Sequence, residues 1–136
     1  MAASLEGVQV GIEHDGDVVV ARQKGREMAA DVGFSGSDLT IIATAISEIA
    51  RNIVVYAKRG DVTLAPLVEG ARRGIMVVAK DTGPGIPNIE QAMRDGFSTG
   101  KSLGLGLPGA RRLMDEFEIR SQVGVGTTVT MRKWVR

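Results

Sequence analysis

Leu39-Thr40-Ile41-Ile42-Ala43-Thr44-Ala45-Ile46-Ser47-Glu48-Ile49-Ala50-Arg51-Asn52-Ile53-Val54-Val55-Tyr56 is an apolar helical run interrupted by an acid and an amide. Leu39, Ile42, Ala43, Ile46, Ile49, Ala50 and Ile53 recur at helical spacing and define one wide core face. Glu48 and Asn52 stand four residues apart, so they share a different face with Val55, one turn above the other. An acid and an amide so placed look into a pocket, where one can act as a base and the other can hold a metal ion. Their surface alternative is a solvated face on which Arg51 balances Glu48. Downstream, the strand-like Ile75-Met76-Val77-Val78-Ala79-Lys80 ends in Asp81-Thr82-Gly83-Pro84-Gly85-Ile86, and a purine fits against such a turn.

The elements around the helix set the fold class. Val8 to Glu13 alternates apolar and polar and reads as a half-buried strand. Asp15-Gly16 reads as a turn, followed by a helix from about Val20 to Asp31. Gly33 to Ser37 breaks that helix, and Ser37 is placed to cap the next, which runs to about Ala57. Val62 to Val68 reads as a strand in which Pro66, lacking an N–H, argues for an edge or a bulge. Ile75 to Ala79 reads as a central strand, Asn88 as the cap of a short helix over Ile89 to Arg94, and Asp95 to Leu103 as a loop. A helix is expected from Gly106 to about Phe117, with Pro108 in its first turn. Glu118 to Val123 and Thr127 to Trp134 make a hairpin around Gly124-Val125-Gly126. This order predicts an α+β fold: a two-layer sandwich of a mixed, mostly antiparallel sheet with helices on one face.

At 136 residues the chain is expected to be a single domain, 1–136. With 17 basic and 16 acidic side chains, nothing global points to nucleic acid or an anionic membrane. The absence of cysteine excludes disulfides and thiolate metal sites and fits the cytoplasm. No apolar stretch is expected to approach the roughly 20 residues of a spanning helix, and the first residues lack the pattern of a signal peptide.

Three glycine motifs need context. Gly104-Leu105-Gly106-Leu107-Pro108-Gly109 matches G-x-G-x-x-G, but a polar loop precedes it and too little chain follows for a dinucleotide unit. Gly100-Lys101-Ser102 resembles the end of a Walker loop, but its leading glycine would fall on Asp95. What remains is a loop carrying Gly96, Gly100, Gly104 and Gly106, able to approach a ligand closely and ending at a helix start that favours phosphate. It can also close over a substrate. Alone, it is an ordinary mobile loop. Asp81-x-Gly83-x-Gly85 can present a carboxylate to an exocyclic amine, although alone it is an ordinary tight turn.

In combination these motifs carry a resemblance. Glu48-x-x-x-Asn52, Asp81-x-Gly83-x-Gly85, Gly104-x-Gly106 before a helix, and Gly124-Val125-Gly126-Thr127 resemble the Bergerat (GHKL) ATP-binding fold of gyrase, Hsp90, histidine kinases and MutL. Ala45 to Asn52, Asp95-Gly96-Phe97-Ser98-Thr99, and Gly106 to Phe117 resemble the anti-sigma regulatory serine/threonine kinases of the stressosome switch, the RsbT type. The resemblance covers about Val8 to Arg136. It implies ATP and Mg²⁺ as cofactors, with Asn52 as the metal ligand and Glu48 as the catalytic base. It further implies Asp81 on the adenine amine, Gly83 and Gly85 beside the base, Thr127 in support, and Gly104 and Gly106 on the phosphates. A lid residue facing the terminal phosphate would fall on Lys101, for which a solvated lysine is the stronger reading. Arg111 and Arg112 read as surface or partner-facing charges, His14 as a surface histidine, and Trp134 as buried.

The implied activity is a protein serine/threonine kinase acting on a STAS-domain antagonist in a stressosome, which also controls a PP2C-type phosphatase by contact. The rivals are a nucleotide-gated binding switch and a direct anti-sigma factor. An independent ATPase of the gyrase kind is disfavoured because no transducer domain follows. Neither nucleic acid nor a membrane is expected as a partner, and a homodimer stays open.

Overall fold

The computed structural model describes residues 7–94 and 106–136. In chain order these form β1 (Val8–Ile12), α1 (Asp15–Val32), α2 (Ser37–Asn52), a π-helical turn (Ile53–Ala57), β2 (Gly60–Glu69) and β3 (Arg72–Asp81). α3 (Ile89–Ala92), α4 (Gly106–Leu113), β4 (Glu116–Gln122) and β5 (Gly126–Trp134) follow. The sheet order is β1-β2-β3-β5-β4 and every pairing is antiparallel, where a mixed sheet was expected. β3 leads by way of α3 and α4 to the edge strand β4, and the final hairpin then brings β5 back beside β3.

One face of the sheet carries the core. Val62 and Leu64 of β2, Ile75 and Val77 of β3, and Val129 and Met131 of β5 alternate inward. Ile42, Ile46, Ile49 and Ile53 of the α2 run are buried in the same cluster. Each such side chain contributes on the order of 1.5–3 kcal/mol by leaving water. The helical run Ser37–Ala57 is 21 residues long with a mean hydropathy of 1.4, long and apolar enough to cross a membrane by length and composition alone. This corrects the expectation that no stretch approaches that length. The run is apolar because it is the core helix of the sandwich, with half of that window buried.

Several boundaries differ from the sequence reading. Asp15-Gly16 is no turn: it is the first turn of α1. Asp17 Oδ2 accepts from the backbone N–H groups of Glu13 (2.8 Å) and His14 (3.3 Å), and Asp15 and Asp17 suit the positive end of the helix. Ser37 lies inside α2, and Gly36 holds the cap position. α4 stops at Leu113 instead of Phe117 because Asp115 is drawn into the β5 strand end. Asp115 accepts from the Trp134 N–H at 2.8 Å and pairs with Arg136 at 2.6 Å, while Lys133 Nζ caps the Leu113 carbonyl at 3.1 Å. Phe117 consequently falls in β4.

Other readings hold. Asn88 accepts from Gln91 N–H at 3.0 Å, and His14 is exposed. Pro66, expected at an edge or a bulge, instead sits in β2 between β1 and β3, where it pairs with Ile75, while the described pairing of β1 reaches Leu64. Trp134 is buried, yet outside the helix-side core. It stands opposite Gly74 on the other face of the sheet, under the Arg72 guanidinium (4.0 Å to the ring centroid), with Nε1 donating to Glu116 at 2.8 Å.

Candidate functional site

Asp81 ends β3 on the helix-facing side, directly opposite Thr127 of β5, which in turn pairs with Ser121 of β4. All three lie in one row across the end of the sheet. Asp81 is 9 % exposed and Thr127 is 6 % exposed. Oδ1 of Asp81 accepts from the backbone N–H of Gly83 at 2.9 Å and of Thr127 at 3.3 Å. Those are its hydrogen bonds among the described residues, where no sealed side-chain oxygen lacks a partner. Oδ2 is therefore open to a donor arriving from outside the protein. A carboxylate with one oxygen fixed by two amides and the other available is suited to hold an exocyclic amine.

The glycines of the turn have structural grounds of their own. A Cβ on Gly83 would sit 2.6 Å from Cβ of Ala57, the last residue of the π-helical turn. Gly85 has φ +80, and a Cβ there would run into the backbone of Gln122 and Val123. Gly83 thus joins the turn to the α2 run, and Gly85 joins it to the β4–β5 hairpin. The hairpin is tied in further: Gly124 N–H donates to the Pro84 carbonyl at 2.8 Å.

Ser121 was missed by the sequence reading. Its hydroxyl accepts from Ile86 N–H at 2.7 Å, lies 2.7 Å from the Thr127 hydroxyl and 3.2 Å from the Gly126 carbonyl. It links the Asp81 loop to Thr127 and fixes the direction of the Thr127 hydroxyl. The sequence signal was available: two hydroxyl residues flanking the Gly124 turn at cross-strand positions.

The second cluster rides on α2. Glu48 is 5 % exposed, Asn52 is half-buried and Val55 is exposed, so their shared face leads from the interior to solvent. The solvated-face alternative for Glu48 is excluded by its burial. Arg51 is nonetheless beside it, with Nη1 3.7 Å from Oε1. Neighbouring Ser47 donates to the Ala43 carbonyl at 2.9 Å. The Asn52 amide makes no hydrogen bond among the described residues, leaving its oxygen available. After Asn52 the helix widens into the π turn, closed by Lys58 N–H on the Ile53 carbonyl at 2.9 Å, with Lys58 at φ +76. π-helical turns are frequent at functional sites. This one carries the chain from Asn52 to the Ala57–Gly83 contact.

No group of three or more His, Cys, Asp or Glu side chains among the described residues could hold a metal by itself. The donor set instead fits Mg²⁺, which accepts one or two protein oxygens and completes its shell with water and phosphate. Gly106 opens α4 at φ +64, and α4 packs on α2 through its buried Leu107 to Ala110. Arg111 and Arg112 are exposed on its last turn. Gly104, Lys101 and the Asp95 to Thr99 segment lie outside the described residues.

Against known proteins, the histidine kinase-like ATPase domain profile matches residues 13–133. The serine/threonine-protein kinase RsbT of Bacillus subtilis (strain 168) is 47 % identical over 127 residues, covering 93 % of this chain and 96 % of that protein. An anti-sigma F factor of Thermoanaerobacter sp. (strain X514) is 33 % identical over 113 residues, covering 79 % of this chain and 78 % of its own. Among solved structures, the mycobacterial sensor histidine kinase MprB superposes with a TM-score of 0.57 at 18 % identity, covering 97 % of this chain and 98 % of its own. The catalytic domain of histidine kinase ThkA gives 0.52 at 14 % identity, with 95 % of each chain covered. These two structures speak for the fold alone.

Proposed function

We infer the function from one premise: the chain belongs to the histidine kinase-like ATPase family, and within it to the serine/threonine kinases of the RsbT type. It is a protein serine/threonine kinase that uses ATP, and residues 1–136 act as one catalytic domain. The observation that carries the catalytic reading is a buried carboxylate, Glu48, four residues before an amide, Asn52, with no hydrogen bond among the described residues, on one helix.

Asp81 Oδ2 accepts the adenine amine, with Gly83, Gly85 and Thr127 beside the base. The phosphates fall to the amides of Gly104 and Gly106, of which Gly106 opens α4. Asn52 would hold Mg²⁺, which would supply positive charge against the phosphates. Glu48 takes the proton of a serine or threonine hydroxyl as its oxygen bonds to the terminal phosphorus. The bond from that phosphorus to the bridging oxygen breaks, and ADP leaves with the electron pair. Little covalent chemistry is asked of the protein in such a transfer; positioning and charge stabilisation suffice.

The substrate we propose is a STAS-domain antagonist in a cytoplasmic, stressosome-type partner switch, with a PP2C-type phosphatase downstream. The named kinase relative supports this reading. The anti-sigma F relatives support a second one, in which the same domain captures a sigma factor directly.

The test is labelled ATP, Mg²⁺ and a STAS-domain protein, with Glu48→Gln and Asn52→Ala beside the wild type. Glu48→Gln is expected to lower turnover by about 10²- to 10⁴-fold, as for loss of a general base, while still binding ATP. Asn52→Ala is expected to abolish transfer. ATP binding without transfer by the wild type would overturn the kinase reading in favour of a binding switch.

A further inference from the structure

Glu48 needs more than a place on α2 to act as a base. A carboxylate 5 % exposed has given up its water, and a buried charge is tolerated only when it is paired. One of its partners is Arg51, three residues on, with Nη1 at 3.7 Å. The two side chains differ sharply in setting: that of Arg51 is 41 % exposed and that of Glu48 is 6 % exposed. The acid is inside and the cation is partly in solvent, directly before Asn52 in the chain. A pair of two exposed side chains would contribute little. When one member is buried, removing the other takes away part of the compensation on which the interior charge depends.

We propose that Arg51 is a positioning residue for phosphoryl transfer, holding the Glu48 carboxylate charge-compensated and aimed at the incoming hydroxyl. This rests on the reading of Glu48 as the base. The guanidinium suits the task because it stays charged whatever its setting, and its single contact at 3.7 Å is that of an ion pair, not of a two-pronged hydrogen-bonded fork. Ser47 does not share the role, since its hydroxyl is committed to Ala43. Arg51 touches no reacting atom. When Glu48 accepts the hydroxyl proton, the ion pair weakens; when the proton passes to water, the pair re-forms and the base is ready again.

The experiment is a double-mutant cycle on the full chain with the STAS-domain substrate, measuring kcat, KM for ATP and the melting temperature. Arg51→Ala is expected to lower kcat by about 10- to 30-fold, the scale of coupling between residues in contact. KM for ATP should stay unchanged, and Arg51→Lys should recover part of the loss. In a Glu48→Gln background, Arg51→Ala should cost nothing further, because its effect passes through that carboxylate. Arg51→Met, which keeps the packing stem, serves if the alanine variant does not fold.

Full multiplication of the two losses would overturn the proposal, as would an unchanged kcat in Arg51→Ala. A raised KM with kcat intact would make Arg51 a ligand contact instead. A loss of kcat matched by a loss of melting temperature, with no recovery in Arg51→Lys, would reduce it to a structural ion pair. Glu48→Gln at wild-type turnover, or a wild type that transfers no phosphate, would remove the base reading and this inference with it.

Discussion

The Asp81 end of the site and the Glu48 end are built by opposite means. Around Asp81 nearly everything is backbone: two amides on one carboxylate oxygen, Gly83 against Ala57, Gly85 against the hairpin, and a hydroxyl pair in strand register. Around Glu48 the fold supplies a helix face, and side chains do the rest. At the first end a residue answers to the fold and to the ligand together. At the second, Asn52 could change with little effect on the fold. Substitutions should therefore sort themselves by end, and that expectation can be attacked directly.

The largest effect on stability is expected from Gly85→Ala. It places a side chain at φ +80 and against the backbone of Gln122 and Val123. The cost should be about 3 kcal/mol from backbone strain and steric clash together, lowering the melting temperature by about 10 °C. Retention of wild-type stability in a denaturant titration would show that the Asp81 end is softer than its hydrogen bonds suggest.

Asp81→Asn separates the two duties of one residue. The asparagine oxygen can keep both amide bonds while its NH₂ group meets the ligand amine donor to donor. Unfolding free energy should shift by less than about 1 kcal/mol, while calorimetric ATP affinity should fall by about 100-fold. An equal loss of fold and affinity would mean that the second carboxylate oxygen has a structural task.

The smallest effect concerns the link between the ends. Lys58 closes the π turn at φ +76, a conformation that costs a side-chain-bearing residue strain. Lys58→Gly is expected to stabilise by about 1 kcal/mol net of its added chain entropy, without altering ATP affinity. A fall in affinity would assign the Lys58 ammonium to the Glu48 end.

The two ends were unequally legible in the sequence. The α2 periodicity, the buried strand running into Asp81 and the Gly124 hairpin were readable because each is a local pattern of burial or turn chemistry. The helix–turn distinction at Asp15-Gly16 was missed because both structures begin with the same residues. What decides there is the Asp17 carboxylate reaching back to Glu13 and His14. The end of α4 depends on Asp115 meeting Trp134 and Arg136, about twenty residues on, and local propensity carries no word of it. The same holds for β5 inserting between β3 and β4, and for Ser121, whose partners come from two separate segments. Glu48, Asn52, Asp81 and Thr127 were visible as a pattern. That Glu48 is buried and Asp81 keeps one oxygen open are properties of packing.

Trp134, the one tryptophan of the chain, sits seven residues along β5 from Thr127 and on the face of the sheet turned away from Asp81. At about 3.4 Å per strand residue the two positions are roughly 24 Å apart. Its indole is held between Gly74 and the Arg72 guanidinium and anchored through Nε1 to Glu116, an environment lost when the sheet comes apart. Intrinsic fluorescence of this protein is thus a gauge of global unfolding placed well away from the proposed nucleotide site. A single optical signal can follow folding while a labelled nucleotide reports occupancy, so stability and binding can be read separately in the same cuvette.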